Sequence, residues 1–261
     1  MSVQRVPTEI WRSILRHATH VPLYMDEEWD HDPKDHIWEG SGSVAIGLIM
    51  RAKMTVSRQT KLAILLVSRV WKELGIEFLY ESIEIPGVYD KINRLLEVVR
   101  QSANGSYLGH GWWMKRIDCT LVGLRTFYNQ VLGLLSLCHR IEIFSLSGKQ
   151  PVRFSISNRL MEILHNRFHH SLRRLELFIN ETEHALSILE STPLLSLAAR
   201  VDDLTAHLPL NPNFNTLTTL TIYMPKTIHS IPTEWRFPNL RSLSIDYFDY
   251  DDYPALTPFL E

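Results

Sequence analysis

The sequence predicts an α/β protein in which a small helical module precedes an irregular solenoid, with parallel strands on one face and helices on the other. Three observations support this fold class. Amphipathic helical patterns dominate the first part, an apolar template recurs six times in the second part, and amphipathic segments separate the recurrences. We place the helical module at residues 1–80 and the repeat domain at residues 81–261.

The helical module is predicted from two amphipathic segments. In "VPTEIWRSILRHA", Pro7 suits a first helical turn, and Ile10 and Ile14 follow at helical spacing. The second segment, "TKLAILLVSRVWKELG", places apolar residues at three- and four-residue steps and reaches Gly75, a residue typical of helix ends. A polar, acidic stretch with prolines and glycines lies between them, so we predict a long internal loop over about 19–58. The alternation in "YESIEI" then predicts a strand.

The second part of the chain repeats one template, in which two polar residues and then one polar residue separate three apolar residues. We place the template at Met114–Ile117–Cys119, Cys138–Ile141–Ile143, Leu172–Leu175–Leu177, Val201–Leu204–Ala206, Leu217–Leu220–Ile222 and Leu240–Leu243–Ile245. Successive starts differ by about 24, 34, 29, 16 and 23 residues, which scatter around the period of about 20–29 residues in leucine-rich repeats. Such a unit cannot bury its apolar face alone, so neighbouring units must stack. The alternative is an ordinary α/β domain whose parallel strands share a pattern.

Composition and charge exclude several classes of protein. A formal net charge of −2 argues against broad binding to a phosphate backbone, so no nucleic-acid partner is expected. With two cysteines, no disulfide framework can hold the fold. The N-terminus carries no secretory signal, and the apolar runs are too short to span a bilayer. We therefore expect a cytoplasmic or nuclear protein without a membrane partner.

No catalytic, metal or cofactor site is predicted. His17, His20, His31 and His36 lie near aspartates, but their spacing matches no known metal site, and a solvated acidic loop explains them. The stretch "GSGSVAIG" lacks the Lys-Ser/Thr of a phosphate-binding loop. No serine or cysteine lies in a recognisable nucleophile motif, so we do not expect an enzyme.

The first part of the chain resembles an F-box. That family's pattern runs Leu-Pro-x-Glu, an Ile/Leu-rich helix, a helix with Val-Cys-x-x-Trp, and a terminal Leu-Trp or Leu-Tyr. The chain matches this pattern at Val6, Pro7, Glu9, Ile10, Ile14, Leu15, Leu62, Leu65, Leu66, Val67, Trp71, Leu74, Leu79 and Tyr80. An F-box followed by a strand and irregular leucine-rich repeats is similar to a large group of fungal F-box proteins. The chain departs from the family at Val6 and Ser68, where Leu and Cys are usual, and in its long loop.

The resemblance implies a substrate-recruiting subunit of an SCF-type cullin–RING ubiquitin ligase, in the ubiquitin conjugation pathway. The F-box would bind the Skp adaptor of that complex, and the repeats would bind a protein client that the sequence does not identify. The implied adaptor-binding residues are Val6, Pro7, Ile10, Ile14, Leu62, Leu66 and Trp71. For Trp71 we favour the alternative of packing in the core of the module. The other function left open is a leucine-rich-repeat interaction scaffold without ligase association.

The client is expected on the concave face of the strands, where alternate side chains point outward in three columns. The first two columns begin Arg116, Arg140, Arg174 and Asp118, Glu142, Glu176. Their opposite charges can offset each other across strands, which favours a surface ladder over a binding role. The third column contains the predicted client-binding residues Phe144, Phe178, His207 and Tyr223. Burial of Phe144 and Phe178 in the core is the alternative.

Overall fold

The structure is a computed structural model that describes residues 6–20, 43–86, 88–105, 109–121, 125–148, 154–178, 192–200, 214–225 and 236–248. Its first part consists of the helices α1 (Thr8–Thr19), α2 (Ser43–Val67) and α3 (Arg69–Glu81). Strands and helices then alternate in the order β1 (Ser82–Ile85), α4 (Tyr89–Gly105), β2 (Arg116–Leu121), α5 (Arg125–Leu135), β3 (Ile143–Gly148), α6 (Phe154–Phe168) and β4 (Arg174–Phe178). The last described elements are β5 (Ser196–Arg200), β6 (Thr219–Pro225) and β7 (Ser242–Phe248).

The three helices of the first part pack around a small core of their own. Its buried side chains are Leu15, Ile64, Leu74 and Phe78. Trp11 of α1 and Trp71 of α3 lie half-buried against this core, with their ring centroids 5.2 Å apart. The Ser57 hydroxyl of α2 donates a hydrogen bond to the carbonyl of Thr19 at 2.6 Å. Side chains from α1, α2 and α3 therefore all contribute to one helical module.

The second helix starts earlier than the sequence predicted. The long loop was expected over about 19–58, whereas α2 begins at Ser43, so residues 43–58 are helical. A single helix-interior glycine costs only about 1 kcal/mol, and the run "LIMRAKM" after Gly47 is rich in residues that favour helix. The loop prediction was therefore wrong over this part. Residues 21–42 of the predicted loop lie outside the described residues.

The two helices α2 and α3 are separate, although the sequence predicted one continuous helix. Ser68 interrupts the helix, and its side chain accepts a hydrogen bond from the backbone N–H of Trp71 at 3.2 Å, which caps α3. Gly75, expected at the helix end, lies inside α3 and is buried. A Cβ at this position would lie 2.9 Å from Cγ2 of Ile64. Glycine therefore permits the close approach of α2 and α3.

The seven strands of the described residues form one open sheet. All neighbouring strands are parallel, and their order along the sheet, β1 to β7, is the order of the sequence. A parallel sheet built in sequence order, with helices between its first four strands, is compatible with a solenoid-like arrangement. The predicted α/β class is thus confirmed.

The main core lies between one face of this sheet and the helices that follow β1, β2 and β3. Strand residues at one register position, Ile117, Phe144, Leu175, Leu197 and Leu220, lie side by side and are all buried. Helix residues of the same cluster include Ile92, Leu96, Val131, Leu135, Leu160 and Leu164. Each helix therefore covers apolar strand residues, as stacked units require.

The pairing of β3 corrects the alignment of its repeat. The sequence placed the template at Cys138–Ile141–Ile143, but Phe144 lies beside Ile117 on one side and Leu175 on the other. The template on β3 is therefore Ile141–Phe144–Leu146. Both alignments fit the stretch "CHRIEIFSL" because apolar residues occur in it at two overlapping sets of positions.

A second correction concerns β5. The predicted template Val201–Leu204–Ala206 lies outside the described residues, whereas Leu197 and Ala199 of β5 pair with Leu175 and Leu177. With β1 included, the templates begin at positions 80, 114, 141, 172, 194, 217 and 240. The last three steps are 22, 23 and 23 residues, so this half of the sheet is more regular than the sequence alignment suggested.

The helical module joins the sheet at the end of α3, close to the predicted boundary at residue 80. Lys115 Nζ lies 2.9 Å from Glu81 Oε1, and the Lys115 backbone N–H donates to the Glu81 carbonyl at 3.0 Å. The Tyr80 ring stacks on His110 with centroids 4.4 Å apart, and Tyr80 also packs against the main core. Burial lowers the pKa of His110 and raises the pKa of Tyr80, as expected for groups enclosed between two packed units.

Candidate partner-binding site

The helical module leaves many large apolar side chains in solvent. Six of the seven predicted adaptor-binding residues are exposed, namely Val6, Pro7, Ile10, Ile14, Leu62 and Leu66. Leu66 is the most open of them, with 86% of its surface accessible. Val56, Val67 and Val70 are further exposed apolar residues that were not among the predicted adaptor-binding residues. Clusters of exposed apolar side chains on a folded domain mark interaction sites.

Helix geometry explains how one helix supplies both the core and this exposed surface. On α1, Ile10 and Ile14 are one turn apart and exposed, while Leu15 is buried in the module core. On α2, Leu62 and Leu66 are related in the same way, with Ile64 buried between them in sequence. Each helix thus has apolar residues on two faces, and only one of these faces is covered. We call the six exposed predicted residues the open face of the module.

Trp71 does not belong to the open face. It is half-buried, packs against the module core and contacts Trp11. An ion pair between Arg12 Nε and Glu77 Oε1, 3.6 Å apart, also links α1 to α3. These contacts support core packing as the role of Trp71, the alternative that the sequence analysis favoured.

The predicted aromatic column on the client face is wrong at Phe144. This side chain is 0% exposed and points into the main core, because its register partners are the inward-facing Ile117 and Leu175. The true third column runs through Thr120, Ser147, Phe178, Arg200, Tyr223 and Asp246. The side chains of Phe178 and Tyr223, and all of His207, lie outside the described residues.

The outward side of the central strands carries a buried ionic network. Within β2, Arg116 Nη2 lies 2.8 Å from Asp118 Oδ1, and Arg116 Nε lies 2.9 Å from Asp118 Oδ2. Within β4, Arg174 forms the equivalent ion pair with Glu176, and both residues are buried. Ser145 of β3 lies between the two carboxylates in the register. The direct ion pairs therefore lie within each strand, and Arg116 of β2 also acts on Glu176 of β4, so opposite charges offset each other across strands as well, as the sequence analysis expected.

The electrostatics of this network indicate a structural role. Burial alone would raise the pKa of Glu176, but the guanidinium groups of Arg174 and Arg116 and the hydrogen bond from Ser145 lower it below the ordinary value. Glu176 is therefore ionised at neutral pH. Two guanidinium groups balance two carboxylates, so the network has no net charge to offer a ligand. Arg140 and Glu142, predicted in the same columns, precede β3 and form a separate pair with Nε and Oε1 2.7 Å apart.

The two cysteines are buried free thiols. Burial raises the pKa of Cys138 to about 12 and the pKa of Cys119 well above its ordinary value, so both are protonated and weakly nucleophilic at neutral pH. Cys138 Sγ donates to the carbonyl of Leu134 at 3.3 Å. Across the described ranges, no group of three or more His, Cys, Asp or Glu side chains is arranged to hold a metal ion. His31 and His36 of the acidic stretch lie outside these ranges.

Comparison with models of known protein families gives no match, and comparison with curated proteins gives no significant match. Among the helices of the described residues, none is both long and apolar enough to cross a membrane. The argument for a function therefore depends on the open face of the module and on the sheet to which the module is joined.

Proposed function

We propose that the protein is a client-recruiting subunit of an SCF-type cullin–RING ubiquitin ligase. In this proposal α1, α2 and α3 form an F-box that binds the Skp adaptor, and the sheet with its helices is an irregular leucine-rich-repeat domain that binds a protein client. The observation that carries the proposal is the open face, because six residues implied by the F-box resemblance are apolar and exposed on a module with its own core.

The geometry of the sheet supports the leucine-rich-repeat part of the proposal. The strands are parallel and consecutive, and β1 to β6 contribute the same pair of positions to one core, whereas on β7 Ile245 packs against this core and Leu243 is exposed. The corrected steps of 22, 23 and 23 residues between the last templates agree with the leucine-rich-repeat period. The longer steps between the earlier templates accommodate the full helices α4, α5 and α6. The proposed repeats are therefore irregular in length and regular in register.

Charge reversal on the open face tests the adaptor part of the proposal. Ile10→Glu combined with Ile14→Glu should abolish co-purification with the Skp adaptor, because a carboxylate buried against an apolar partner lacks a hydrogen-bonding environment. Both side chains are about half exposed, at 50% and 48%, so the variant should keep the fold of the wild type, as judged by circular dichroism. Co-expression with the Skp adaptor and affinity purification measures the retained fraction.

A matched control separates loss of the interface from a general effect of added charge. Val88 and Val98 are also exposed apolar residues, but they belong to the repeat region, so Val88→Glu with Val98→Glu should leave adaptor binding unchanged. Retention of the Skp adaptor by the Ile10/Ile14 variant at the wild-type yield would contradict the proposal. A folded wild-type protein that retains no Skp adaptor would contradict it as well, and would support an interaction scaffold without ligase association.

A further inference from the structure

Exposed aromatic, imidazole and guanidinium side chains line the edge of the sheet where the strands begin. The corrected register places Trp112, His139 and His170 at one equivalent position, four residues before β2, β3 and β4 respectively. Arg140 follows His139 in the chain, and Arg167 lies in the last turn of α6. We call these five residues the ledge. The sequence analysis missed the ledge because the misaligned template on β3 concealed the equivalence of its members.

Direct contacts connect neighbouring members of the ledge. The rings of Trp112 and His139 lie with their centroids 5.3 Å apart. Arg167 Nη2 donates a hydrogen bond to the carbonyl of Cys138 at 3.3 Å, which places this guanidinium group beside the loop that carries His139. The ring contact joins Trp112 to His139, and the Arg167 hydrogen bond ties α6 to the loop before β3. His170 belongs to the ledge by its register position.

The backbone beneath the ledge is tightly packed. Gly111 is buried against the carbonyl oxygen of Leu137, and a Cβ at Gly111 would collide with that oxygen. The turn that carries Trp112 therefore rests directly on the loop before β3. The Ser171 hydroxyl donates to the carbonyl of Ile141 at 2.9 Å, which ties the loop before β4 to the same loop. The ledge side chains thus project from a supported backbone, which lowers the entropy that a partner must remove on binding.

All five ledge residues are exposed. Trp112 has 45% of its surface accessible, and the side chain of Arg140 is 68% accessible although it contacts Glu142. The described loops leading into β2, β3 and β4, residues 109–115, 136–142 and 169–173, together with the last turn of α6, contain one carboxylate, Glu142. The cations in the same segments are Lys115, Arg140, Arg167 and Arg173. Lys115 is paired with Glu81 and Arg140 with Glu142, so four cations face two carboxylates and the ledge keeps an excess of positive charge in a protein whose formal net charge is −2.

We propose that the ledge binds an acidic segment of a protein partner, with carboxylates on Arg140 and Arg167 and an apolar side chain on Trp112. Charge complementarity carries this choice, because the planar guanidinium group matches a carboxylate. Tryptophan and arginine are also the residues that dominate binding energy at protein interfaces. The narrow electropositive strip, with Glu142 within it, does not resemble the broad basic face that a nucleic acid requires.

The ledge inference goes beyond the proposed adaptor function and does not depend on it. The ledge lies on the repeat region, whereas the open face lies on the helical module. The outward side of the central strands carries a neutral, buried ionic network. The ledge, in contrast, presents unburied cations and an exposed aromatic ring to solvent.

Fluorescence anisotropy with a labelled peptide tests the ledge. The probe is a fluorescein-labelled peptide of glutamates with one central leucine, and the reference is the same peptide with glutamines. The wild-type protein should bind the acidic probe and not the reference. Arg140→Glu combined with Arg167→Glu should weaken binding about tenfold or more, since it replaces two attractive contacts with two repulsive ones. Trp112→Ala should weaken binding of the leucine-containing probe and should leave unchanged the weaker binding of an all-glutamate peptide.

The control is Arg94→Glu combined with Arg100→Glu, which changes the net charge equally at two exposed arginines of α4. It should bind the acidic probe at nearly the wild-type strength. The inference is overturned if the wild-type protein does not distinguish the acidic probe from the glutamine reference. It is also overturned if the Arg94/Arg100 variant loses as much affinity for the acidic probe as the Arg140/Arg167 variant. Tighter binding of a single-stranded oligonucleotide at the same ionic strength would also overturn it, as would a dimer of this chain that the Arg140/Arg167 variant dissociates.

The outcome of the ledge experiment does not depend on the outcome of the adaptor experiment. The Arg140/Arg167 variant should still co-purify with the Skp adaptor, and the Ile10/Ile14 variant should still bind the acidic probe. Circular dichroism and the urea midpoint of each variant establish that the protein is folded before binding is measured.

Discussion

The helical module and the sheet use their apolar residues differently. In the sheet, inward strand residues and the facing helix residues form one continuous buried cluster. In the module, the buried core formed by the described side chains consists of Leu15, Ile64, Leu74 and Phe78, while similar side chains such as Ile10 and Leu66 are exposed to solvent. A unit with so small a core gains stability from what it binds. The contrast shows that the sheet buries its apolar surface against its own helices, whereas the module leaves part of its apolar surface uncovered by the described residues.

The largest expected effect comes from Phe144 in the sheet. Phe144→Ala should lower the free energy of unfolding by about 3–5 kcal/mol, because it removes a fully buried aromatic ring and leaves a cavity. Equilibrium unfolding in urea measures the change. Ile14→Ala is the matched control in the module, and since Ile14 is half exposed its cost should stay below about 1 kcal/mol. If the two substitutions lowered the free energy of unfolding equally, the two regions would not differ in how they use their apolar residues.

A smaller effect is expected from the ionic network. Arg174→Met should cost about 2–4 kcal/mol, since it keeps the apolar stem of the side chain but leaves Glu176 buried without its partner. Protonation of Glu176 limits the loss, because burial raises the pKa of a carboxyl group that has lost its neighbouring cation. Arg174→Met combined with Glu176→Leu should recover most of the lost stability. Urea midpoints of both variants test this. A double variant less stable than the single one would contradict the expectation and would show that Glu176 stabilises the fold through Ser145 and Arg116 rather than through Arg174.

The smallest effect is expected on the open face. Leu66→Ser should change the free energy of unfolding by no more than about 0.5 kcal/mol, because this side chain is 86% exposed and loses little packing. Urea unfolding of the isolated protein provides the measurement. A loss above about 1.5 kcal/mol would show that Leu66 packs within this chain, and its assignment to the open face would then be wrong.

Much of the fold could be predicted from the sequence. The periodicities of the sequence identified the helical module, the presence of parallel strands, and the template positions on β2, β4, β6 and β7. The alignment failed at β3 and β5. The stretch "CHRIEIFSL" contains two overlapping apolar sets that satisfy the template, and "LLSLAARVDDLTA" contains two successive sets that satisfy it, which begin at Leu194 and Val201. Only pairing with neighbouring strands selects one of these sets, and that pairing is a long-range property. The start of α2 was missed because glycines near residue 42 suggested a loop that extends further than the structure allows.

The candidate surfaces could be predicted in part. The residues of the open face were implied by the F-box resemblance. Helical spacing accounts for the exposure of Ile10, Ile14, Leu62 and Leu66 among them, since a helix with apolar residues on two faces cannot bury both in a small module. The position of Phe144 could not be predicted, because a one-residue shift in a strand exchanges its inward and outward faces. The ledge was also hidden, because Trp112, His139 and His170 become equivalent only once β3 is in its true register.

The sequential order of the sheet has a consequence for how the protein forms. Within the described strands, each one pairs with its neighbours in the sequence, so no early strand waits for a distant segment. During synthesis the helical module leaves the ribosome before the sheet, and Tyr80 and Glu81 then provide contacts for the segment around His110 and Lys115. Each later strand can then pair with the edge strand of the sheet that has already formed. Folding can therefore advance at the pace of translation, with one growing edge exposed at a time.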